Sequence, residues 1–184
     1  MILNITEISN KLLIQAENLF GLKVEDWVYN HDVIFQEGPP HIIYHPSRFI
    51  SISLSKSAQD SEYKVVAQLS HEIAHVVSPA RNPNKGSFRV LVINEGVSEY
   101  FSLLVLVNWF GYDIKDVYES KSSPYPEYFE ALNLIIDLHK DNEAIIKRLR
   151  KRQQYLNELT FEDIRAENKT IDDVKIQKLL TKFA

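Results

Sequence analysis

The segment from Ser61 to Pro79, SEYKVVAQLSHEIAHVVSP, decides how this chain folds. Its apolar residues recur at spacings of three and four, which is the period of one face of an α-helix, and the proline ends the pattern. They are Tyr63, Val66, Leu69, Ile73, Val76 and Val77. The segment therefore predicts a long amphipathic helix that packs on a core and carries two histidines, His71 and His75.

Three short runs of β-branched and aromatic residues precede this helix and predict strands. They are Trp27 to Phe35, His41 to Tyr44 and Phe49 to Leu54, and turns rich in glycine and proline separate them. In the third run the apolar residues alternate with serines, so we expect an edge strand whose serine face meets solvent or ligand. An amphipathic helix from Thr6 to Leu19 is predicted before the strands.

The residues after Pro79 favour helices over strands. A polar connection, Ala80 to Ser87, leads to Phe88 to Phe110, an unusually apolar stretch that predicts a long buried helix. The remainder breaks at Ser122 to Pro124 and near Asn157, and it predicts about four more helices.

No repeat, low-complexity stretch or long linker divides the sequence, so we expect one α+β domain over residues 1–184. In that domain a helix and a small antiparallel sheet of about three strands, residues 1–55, pack on a helical bundle. Residues 60–110 supply the two long helices of the bundle, and residues 111–184 supply the C-terminal helices.

Composition limits the chemistry that the chain can perform. The 184 residues are 45% apolar and 25% charged, which excludes a disordered or collagen-like chain. No cysteine is present, so thiol catalysis and Cys-based zinc sites are excluded, and the six histidines and the carboxylates remain as strong metal ligands. The net charge of −4 offers no basic field to nucleic acid or anionic lipid, so we expect neither as a partner.

Nothing in the sequence predicts a segment for export or membrane insertion. The stretch MILNITEISNKLL has neither the basic region nor the long apolar region of a signal peptide. The longest apolar run, Leu103 to Val107, is too short to span a bilayer. We therefore expect a cytoplasmic protein without a membrane partner. The basic run Lys147 to Arg152 is expected to form a solvated helix face.

The candidate chemistry begins with His71-Glu72-Ile73-Ala74-His75 on the predicted helix. Residues i and i+4 project from the same helix face, so both imidazoles can reach one metal ion. Glu72 lies beside that pair, where its carboxylate can meet a metal-bound water instead of the metal. Neutral histidine donors, an open coordination position and an adjacent general base are what a hydrolytic zinc site requires.

A third ligand is expected from the next predicted helix, which contains Asn94-Glu95-Gly96-Val97-Ser98-Glu99-Tyr100. Its two acids, Glu95 and Glu99, share one face of a helix that is otherwise largely apolar. A carboxylate in such surroundings must be paired or bound to a metal, because an isolated buried charge is costly. We therefore expect Glu95 to be the third zinc ligand. Glu99 is expected to accept a hydrogen bond from an imidazole of the first helix, which orients that ligand.

HEIAH followed by NEGVSEYF resembles the gluzincins, zinc peptidases in which a second helix supplies a glutamate ligand to the HExxH helix. Glu95 and Glu99 match the thermolysin type, and Asn94-Glu95-Gly96 matches the aminopeptidase N type. The resemblance implies a zincin-like catalytic core and a zinc-dependent peptidase that hydrolyses peptide bonds with a metal-activated water. It implies a peptide or protein substrate, Glu72 as the general base, and three ligands of Zn²⁺, namely His71, His75 and Glu95.

The resemblance also implies two further parts of the site. The family places a strand before the HExxH helix, whose edge aligns an extended peptide, and Phe49 to Leu54 fits that role. Gluzincins use a tyrosine or a histidine to stabilise the developing oxyanion. The segment Tyr128-Phe129-Glu130-Ala131-Leu132 resembles the tyrosine helix of the aminopeptidase N type, so Tyr128 is the expected donor, with Tyr125 and His139 as alternatives. The sequence lacks the Gly-x-Met-Glu-Asn segment with which that type binds a free amino terminus, so the choice between endopeptidase and aminopeptidase stays open.

Two other interpretations of the sequence also stay open. One is a zinc-binding, non-hydrolytic interaction module that uses a peptidase-like cleft to hold a partner, although a pure binder would not need Glu72. The other is a helical interaction protein in which the HExxH pattern is coincidental. A di-iron carboxylate bundle is excluded, because it needs two Glu-x-x-His pairs and the sequence has one, Glu72 to His75. We expect His31, His41 and His45 to be structural, and the sequence identifies neither substrate-binding residues nor an oligomeric state.

Overall fold

The chain folds as an α+β protein, as the sequence predicts. The computed structural model describes residues 4–121, 125–140 and 142–183. Within these residues one helix and three strands are followed by a second helix, a short two-stranded hairpin and six further helices. None of the described helices combines the length and the apolar character needed to cross a bilayer.

The first sheet contains strands β1 (Val28–Gln36), β2 (His41–Tyr44) and β3 (Phe49–Ser55), in the order β1-β3-β2. Strand β3 pairs antiparallel with β2 but parallel with β1, so the sheet is mixed, and the expected all-antiparallel sheet is wrong. A tight turn at residues 45–48 folds β3 back along β2. The β2–β3 hairpin pairs with β1 through β3. Strands β1 and β2 are therefore not adjacent in the sheet, although they are consecutive in the sequence.

Strand β3 is therefore the central strand and not the expected edge strand. Its side chains are buried on both faces, and Ser51 and Ser53 are 2% and 0% exposed. The hydroxyl of Ser51 lies 2.7 Å from His45 Nε2, so His45 serves the packing of the sheet. The alternation of apolar residues and serines reflects two buried faces of different polarity, and not one buried and one solvated face.

Two long helices follow the sequence pattern closely. Helix α1 (Ile5–Phe20) starts after Asn4, whose side chain accepts a hydrogen bond from a backbone N–H of the first turn. Helix α2 (Glu62–Val77) starts after Ser61, whose hydroxyl does the same, and it ends before Pro79. Both caps satisfy backbone N–H groups that the start of a helix leaves without partners.

A hairpin separates α2 from the next helix, where the sequence indicates only a polar connection. It comprises β4 (Arg81–Asn82) and β5 (Ser87–Phe88), which pair antiparallel. Helix α3 (Val92–Asn108) starts later than the predicted Phe88, because that residue is extended in β5. The side-chain oxygen of Asn94 accepts a hydrogen bond of 3.1 Å from the backbone N–H of Leu91 and so caps this helix.

Five helices follow α3 in the described residues, where the sequence indicates about four. They are α4 (Ile114–Lys121), α5 (Pro126–His139), α6 (Ile145–Arg152), α7 (Phe161–Glu167) and α8 (Asp173–Leu179). The expected break at Ser122 to Pro124 lies outside the described residues. After α8 the chain returns to the start of α3, where Phe183 N donates to Val90 O at 3.0 Å.

Helices α2 and α3 pack against each other and carry the candidate site. Phe101 of α3 reaches α1, where its ring meets that of Phe20 edge-on with centroids 5.7 Å apart. Helix α3 also packs against α5 at Gly96, whose missing side chain allows the two helices to approach closely. Buried polar residues of α2 and α3 interrupt this apolar packing, and three of them have ionisable side chains: Glu72, His75 and Glu95.

The basic run on α6 is not wholly a solvated face, because Arg150 is only 6% exposed. Its guanidinium donates hydrogen bonds of 2.7 to 3.0 Å to backbone carbonyls at the ends of α1 and α2. These carbonyls belong to Phe20, Gly21, Leu22 and Val77. The last carbonyls of a helix lack partners within the helix and carry its partial negative charge, so Arg150 joins and caps the two helices.

Candidate metal centre

The two histidines of HEIAH lie on one face of α2, in its last turns, and their rings point to the same place. His71 and His75 are largely buried, with side chains 12% and 11% exposed. Their Nε2 atoms are 3.2 Å apart. The helical spacing thus brings two imidazole nitrogens together as the sequence predicts.

Glu95 enters this site from the first turn of α3. One of its carboxylate oxygens lies 3.2 Å from His71 Nε2, and the other lies 3.3 Å from His75 Nε2. The side chain of Glu95 is 9% exposed. One ligand atom from each of the three residues can be chosen so that all lie within 4.8 Å of one another. The structure therefore places the three expected ligands, His71, His75 and Glu95, in one cluster.

The donor set fits a single divalent metal ion. Donor atoms about 2.0–2.1 Å from a tetrahedral zinc ion lie about 3.3–3.4 Å from one another. The two Nε2 atoms, 3.2 Å apart, are close to that spacing, and each of them lies 3.2 to 3.3 Å from a different oxygen of Glu95. When both Nε2 atoms are unprotonated their lone pairs repel each other, and a cation between them then stabilises both. Two histidines with one carboxylate suit zinc, and the same set also suits iron(II).

Glu99 lies one turn after Glu95 and orients His71. Its Oε1 accepts a hydrogen bond of 2.8 Å from His71 Nδ1. Because Nδ1 carries the proton in this bond, the Nε2 of a neutral His71 keeps its lone pair for the cluster. This contact between α3 and α2 is the one expected of Glu99 from the sequence.

Lys121, the last residue of α4, completes the surroundings of Glu99. Its Nζ lies 2.5 Å from Glu99 Oε2 and 3.3 Å from the hydroxyl of Ser102. The lysine side chain is 12% exposed, although lysine is usually found on the surface. Sequence reasoning missed Lys121, and no periodic signal marks it, because only the docking of α4 buries its amine.

The charges of the metal-free centre balance one another. Burial opposes ionisation of Glu95, but the two histidines outweigh it and hold the pKa of Glu95 well below its usual range. Burial likewise opposes ionisation of Glu99, yet the hydrogen bond from His71 and the charge of Lys121 lower its pKa to about 2. Burial favours a neutral His71, while its hydrogen bonds to both carboxylates raise its pKa well above the usual value. A cation that binds here would displace a proton shared in this cluster.

Glu72 lines the same cleft as the three ligands but does not belong to their cluster. Its side chain is buried, and burial raises its pKa above the usual value. Its carboxylate makes no hydrogen bond to the part of the chain that the structure describes. An unpaired carboxylate beside a metal position, with a raised pKa, is suited to take up and release a proton.

Tyr128 lies in the first turn of α5 and also lines the cleft. Its ring centroid is 6.1 Å from that of His71 and 4.7 Å from that of Phe183. Burial and the carboxylates of the centre raise its pKa, so the phenol keeps its proton. The two alternatives are placed differently. Tyr125 is 61% exposed, and His139 is buried at the other end of α5, where its Nδ1 donates to Ile135 O.

The rest of the cleft wall comes from residues for which the sequence predicted no role in the site. Strand β2 and the β4–β5 hairpin with its flanking residues supply them: Pro40, His41, Ile42, Tyr44, Ala80, Phe88 and Val90. Phe88 is 65% exposed, and its ring meets that of Tyr44 edge-on. His41 was expected to be merely structural, yet it borders the cleft, with Nδ1 donating to Pro39 O at 3.0 Å.

The strand expected to present an edge to the cleft is β3, and this expectation is wrong. Strand β3 has β1 on one side and β2 on the other, so it has no free edge. Strand β2 is an edge strand of the described sheet, and three of its four residues border the cleft: His41, Ile42 and Tyr44. The edge nearest the candidate centre therefore belongs to β2.

Comparisons of this chain with models of protein families, with curated proteins and with solved structures find no match. The assignment of a function to the centre therefore depends on its residues and their geometry.

Proposed function

We propose that this protein is a zinc-dependent peptidase with a small, zincin-like catalytic core. His71, His75 and Glu95 would hold Zn²⁺, and Glu72 would act as the general base. One observation carries the proposal: donor atoms of three residues lie within 4.8 Å of one another in a cleft that also contains Glu72, a buried carboxylate with no hydrogen bond to the described residues. The resemblance of HEIAH and NEGVSEYF to the gluzincins adds support, because it assigns the same residues to the same roles.

Zinc, when bound, would polarise a water molecule and the carbonyl group of a scissile peptide bond. The chain's own residues then have distinct tasks. Glu72 accepts a proton from the attacking water and returns it to the nitrogen of the leaving amine. Its buried position supports this exchange, because burial brings its pKa closer to neutrality.

Tyr128 is placed to assist at the carbonyl oxygen. Its hydroxyl makes no hydrogen bond within the described residues, so it is available to donate one. A donor aimed at the oxygen where negative charge develops stabilises the transition state more than the substrate. Tyr128 would thus supply the hydrogen bond that the resemblance to the gluzincins assigns to a tyrosine.

An extended peptide is the substrate that suits the cleft. Strand β2 offers a backbone edge along one side of the cleft, and such an edge binds a peptide by adding it as a further strand. The exposed ring of Phe88 and the ring of Tyr44 add an apolar wall for a side chain of the substrate. We therefore propose a peptide or an accessible segment of a protein as substrate.

The position of Glu72 favours hydrolysis over two competing uses of the same centre. A non-hydrolytic module that binds zinc and holds a partner needs the three ligands but no base. An iron(II) oxygenase uses two histidines and one carboxylate as well, but its chemistry needs no carboxylate base beside the metal. Burying Glu72 without a partner costs stability, which is understandable if that carboxylate acts on substrate.

The test combines metal binding with peptide cleavage. Metal-depleted protein is titrated with Zn²⁺ and with Fe²⁺, and both loaded forms are incubated with a fluorogenic peptide library. We expect one equivalent of zinc to bind and to support cleavage, and we expect Glu72→Gln to bind zinc equally and to cleave nothing. Failure of the wild type to bind either metal contradicts every metal-based reading. Cleavage by Glu72→Gln at the wild-type rate contradicts the assigned mechanism, and zinc binding without cleavage favours the interaction module.

A further inference from the structure

A row of polar groups connects helix α4 to the candidate metal centre. Lys121 Nζ lies 2.5 Å from Glu99 Oε2, and Glu99 Oε1 accepts a hydrogen bond of 2.8 Å from His71 Nδ1. His71 Nε2 then faces Glu95 and His75. Three helices thus contribute one residue each to a continuous path, from α4 through α3 to α2.

The members of this row are held away from solvent. The side chains of Lys121, Glu99 and His71 are 12%, 13% and 12% exposed. The amine of Lys121 also meets the hydroxyl of Ser102, which in turn donates to Ala67 O on α2 at 3.1 Å. At such low exposure each contact is little screened by water, so the loss of one partner leaves the next group unsatisfied.

The two oxygens of Glu99 have different partners, and this division gives Lys121 its role. Oε1 accepts a hydrogen bond from His71 Nδ1, while Oε2 accepts one from Lys121 Nζ. Without the amine, Oε2 would lie largely buried with no charged partner. The carboxylate would then turn toward any available donor, and the bond that sets the direction of the His71 ring would loosen.

Besides Lys121, α4 packs through Val117, which is buried, and through Tyr118, whose ring meets that of Phe129 edge-on with centroids 4.8 Å apart. Hydrogen bonds at its surface join Ser120 to Tyr63 at 2.8 Å and Tyr118 to Asn133 at 2.5 Å. Among the described contacts of α4, the ion pair of Lys121 with Glu99 is the one that reaches the centre.

We propose that Lys121 is a positioning residue of the metal centre, which fixes Glu99 and through it His71, so that metal affinity depends on the docking of α4. This inference rests on the proposed metal site. It concerns no step of hydrolysis and does not require that the protein be a peptidase.

The sign of the effect separates positioning from simple electrostatics. Lys121 is a cation close to the site of another cation, so its charge alone weakens metal binding. A role limited to charge therefore predicts that Lys121→Met tightens zinc binding. Positioning predicts the opposite, because the ring of His71 loses the support of Glu99.

The experiment measures zinc affinity of the metal-depleted protein by competition with a chromophoric chelator. We expect Lys121→Met to weaken affinity by about tenfold, the low end of the effect of such outer partners. Lys121→Arg keeps the charge and the donor, and it should retain most of the affinity. The matched control is Lys115→Met, which removes the same charge from an exposed position of the same helix and should change nothing.

A double-mutant cycle shows whether Lys121 acts through Glu99. Lys121→Met should have no further effect on zinc affinity in the Glu99→Ala background, because the carboxylate through which Lys121 is proposed to act is gone. Lys121→Gln serves if Lys121→Met does not fold, as judged by urea unfolding of the metal-free protein. Unchanged or tighter zinc binding by Lys121→Met, or by Lys121→Gln in its place, overturns the inference and leaves the proposed function intact. Absence of zinc binding by the wild type overturns both.

Discussion

Gly96 of α3 lies directly against the carbonyl group of Ala131 on α5. A Cβ atom placed on Gly96 would be 2.5 Å from Ala131 O and 2.6 Å from Ile135 Cγ1. Glycine is required here by the close approach of two helices and not by an unusual backbone angle. This contact adjoins the proposed ligand Glu95 and sets the distance between α3 and α5, the helix that carries Tyr128.

Gly96→Ala should therefore disturb both stability and the cleft. The added methyl group forces α5 outward, and overpacking of this kind costs about 1–3 kcal/mol of the free energy of unfolding. Urea unfolding of the metal-free protein measures the loss. Gly111→Ala is the control: a Cβ there meets no atom within 4 Å, and only its φ of +69° opposes the substitution. A variant Gly96→Ala as stable as the wild type would contradict this account of the packing.

The two acids of α3 should differ in what their removal does to metal binding. Glu95→Ala removes a proposed ligand and should abolish stoichiometric zinc binding. Glu99→Ala removes only the partner of His71 Nδ1 and should weaken affinity by about 10–100-fold. Isothermal titration of metal-depleted protein with Zn²⁺ distinguishes the two results. Equal losses in both variants would mean that the ligand assignment between Glu95 and Glu99 is wrong.

Local periodicity is enough to identify the residues proposed as ligands. Any α-helix through HEIAH sets His71 and His75 on one face, and the apolar character of the following helix requires a partner for Glu95. The ends of α1, α2 and the strand β2 also follow from capping residues, prolines and residue type. These features depend on neighbours a few positions apart in the chain, which a sequence displays directly.

Features that depend on how distant segments pack together cannot be predicted from the local sequence. Lys115 and Lys121 lie on the same short helix, and nothing in the sequence says which amine is buried. The central place of β3 follows from how a hairpin pairs with β1, and alternation of residues cannot reveal it. The position of His41 beside the cleft could not be predicted for the same reason. His41 belongs to β2, and β2 is at the edge of the sheet where β3 was expected.

Arg150 should be among the most sensitive positions for stability. Arg150→Met leaves four carbonyls at the ends of α1 and α2 without their donor, and this should lower the free energy of unfolding by about 3 kcal/mol. Arg152→Met is the matched control on the same helix, where an ion pair with Glu167 at a partly exposed position is worth about 0–1 kcal/mol. Chemical denaturation of both variants measures the two losses in the free energy of unfolding. Similar losses in the two would show that the buried guanidinium has no special role.

Phe183 should tune the proposed reaction through Tyr128. Its ring packs edge-on against that of Tyr128 at 4.7 Å, and hydrogen bonds of 3.0 Å tie its segment to Val90 and Val92. Phe183→Ala frees the Tyr128 ring, so kcat for a cleaved peptide should fall by about tenfold with KM and zinc affinity nearly unchanged. The same substitution should have no effect on kcat in the Tyr128→Phe background. A further fall in that background would mean that Phe183 acts by another route.

Asp26 should contribute stability that disappears in acid. Its carboxylate accepts hydrogen bonds of 2.7 Å from Tyr155 Oη and 2.9 Å from Asn84 Nδ2, and these, with the charge of Arg48, lower its pKa. The folded-state pKa lies below the unfolded value of about 3.9. The stabilisation by the ionised carboxylate is therefore complete above about pH 3.9, and it is lost as the pH falls through the folded-state pKa. Because the side chain is partly exposed, Asp26→Asn should cost no more than about 1 kcal/mol at pH 7. Urea unfolding of the metal-free protein should show a smaller difference between wild type and Asp26→Asn at pH 3 than at pH 7. A difference that stays constant between these two pH values would show that the ionised carboxylate contributes nothing of its own.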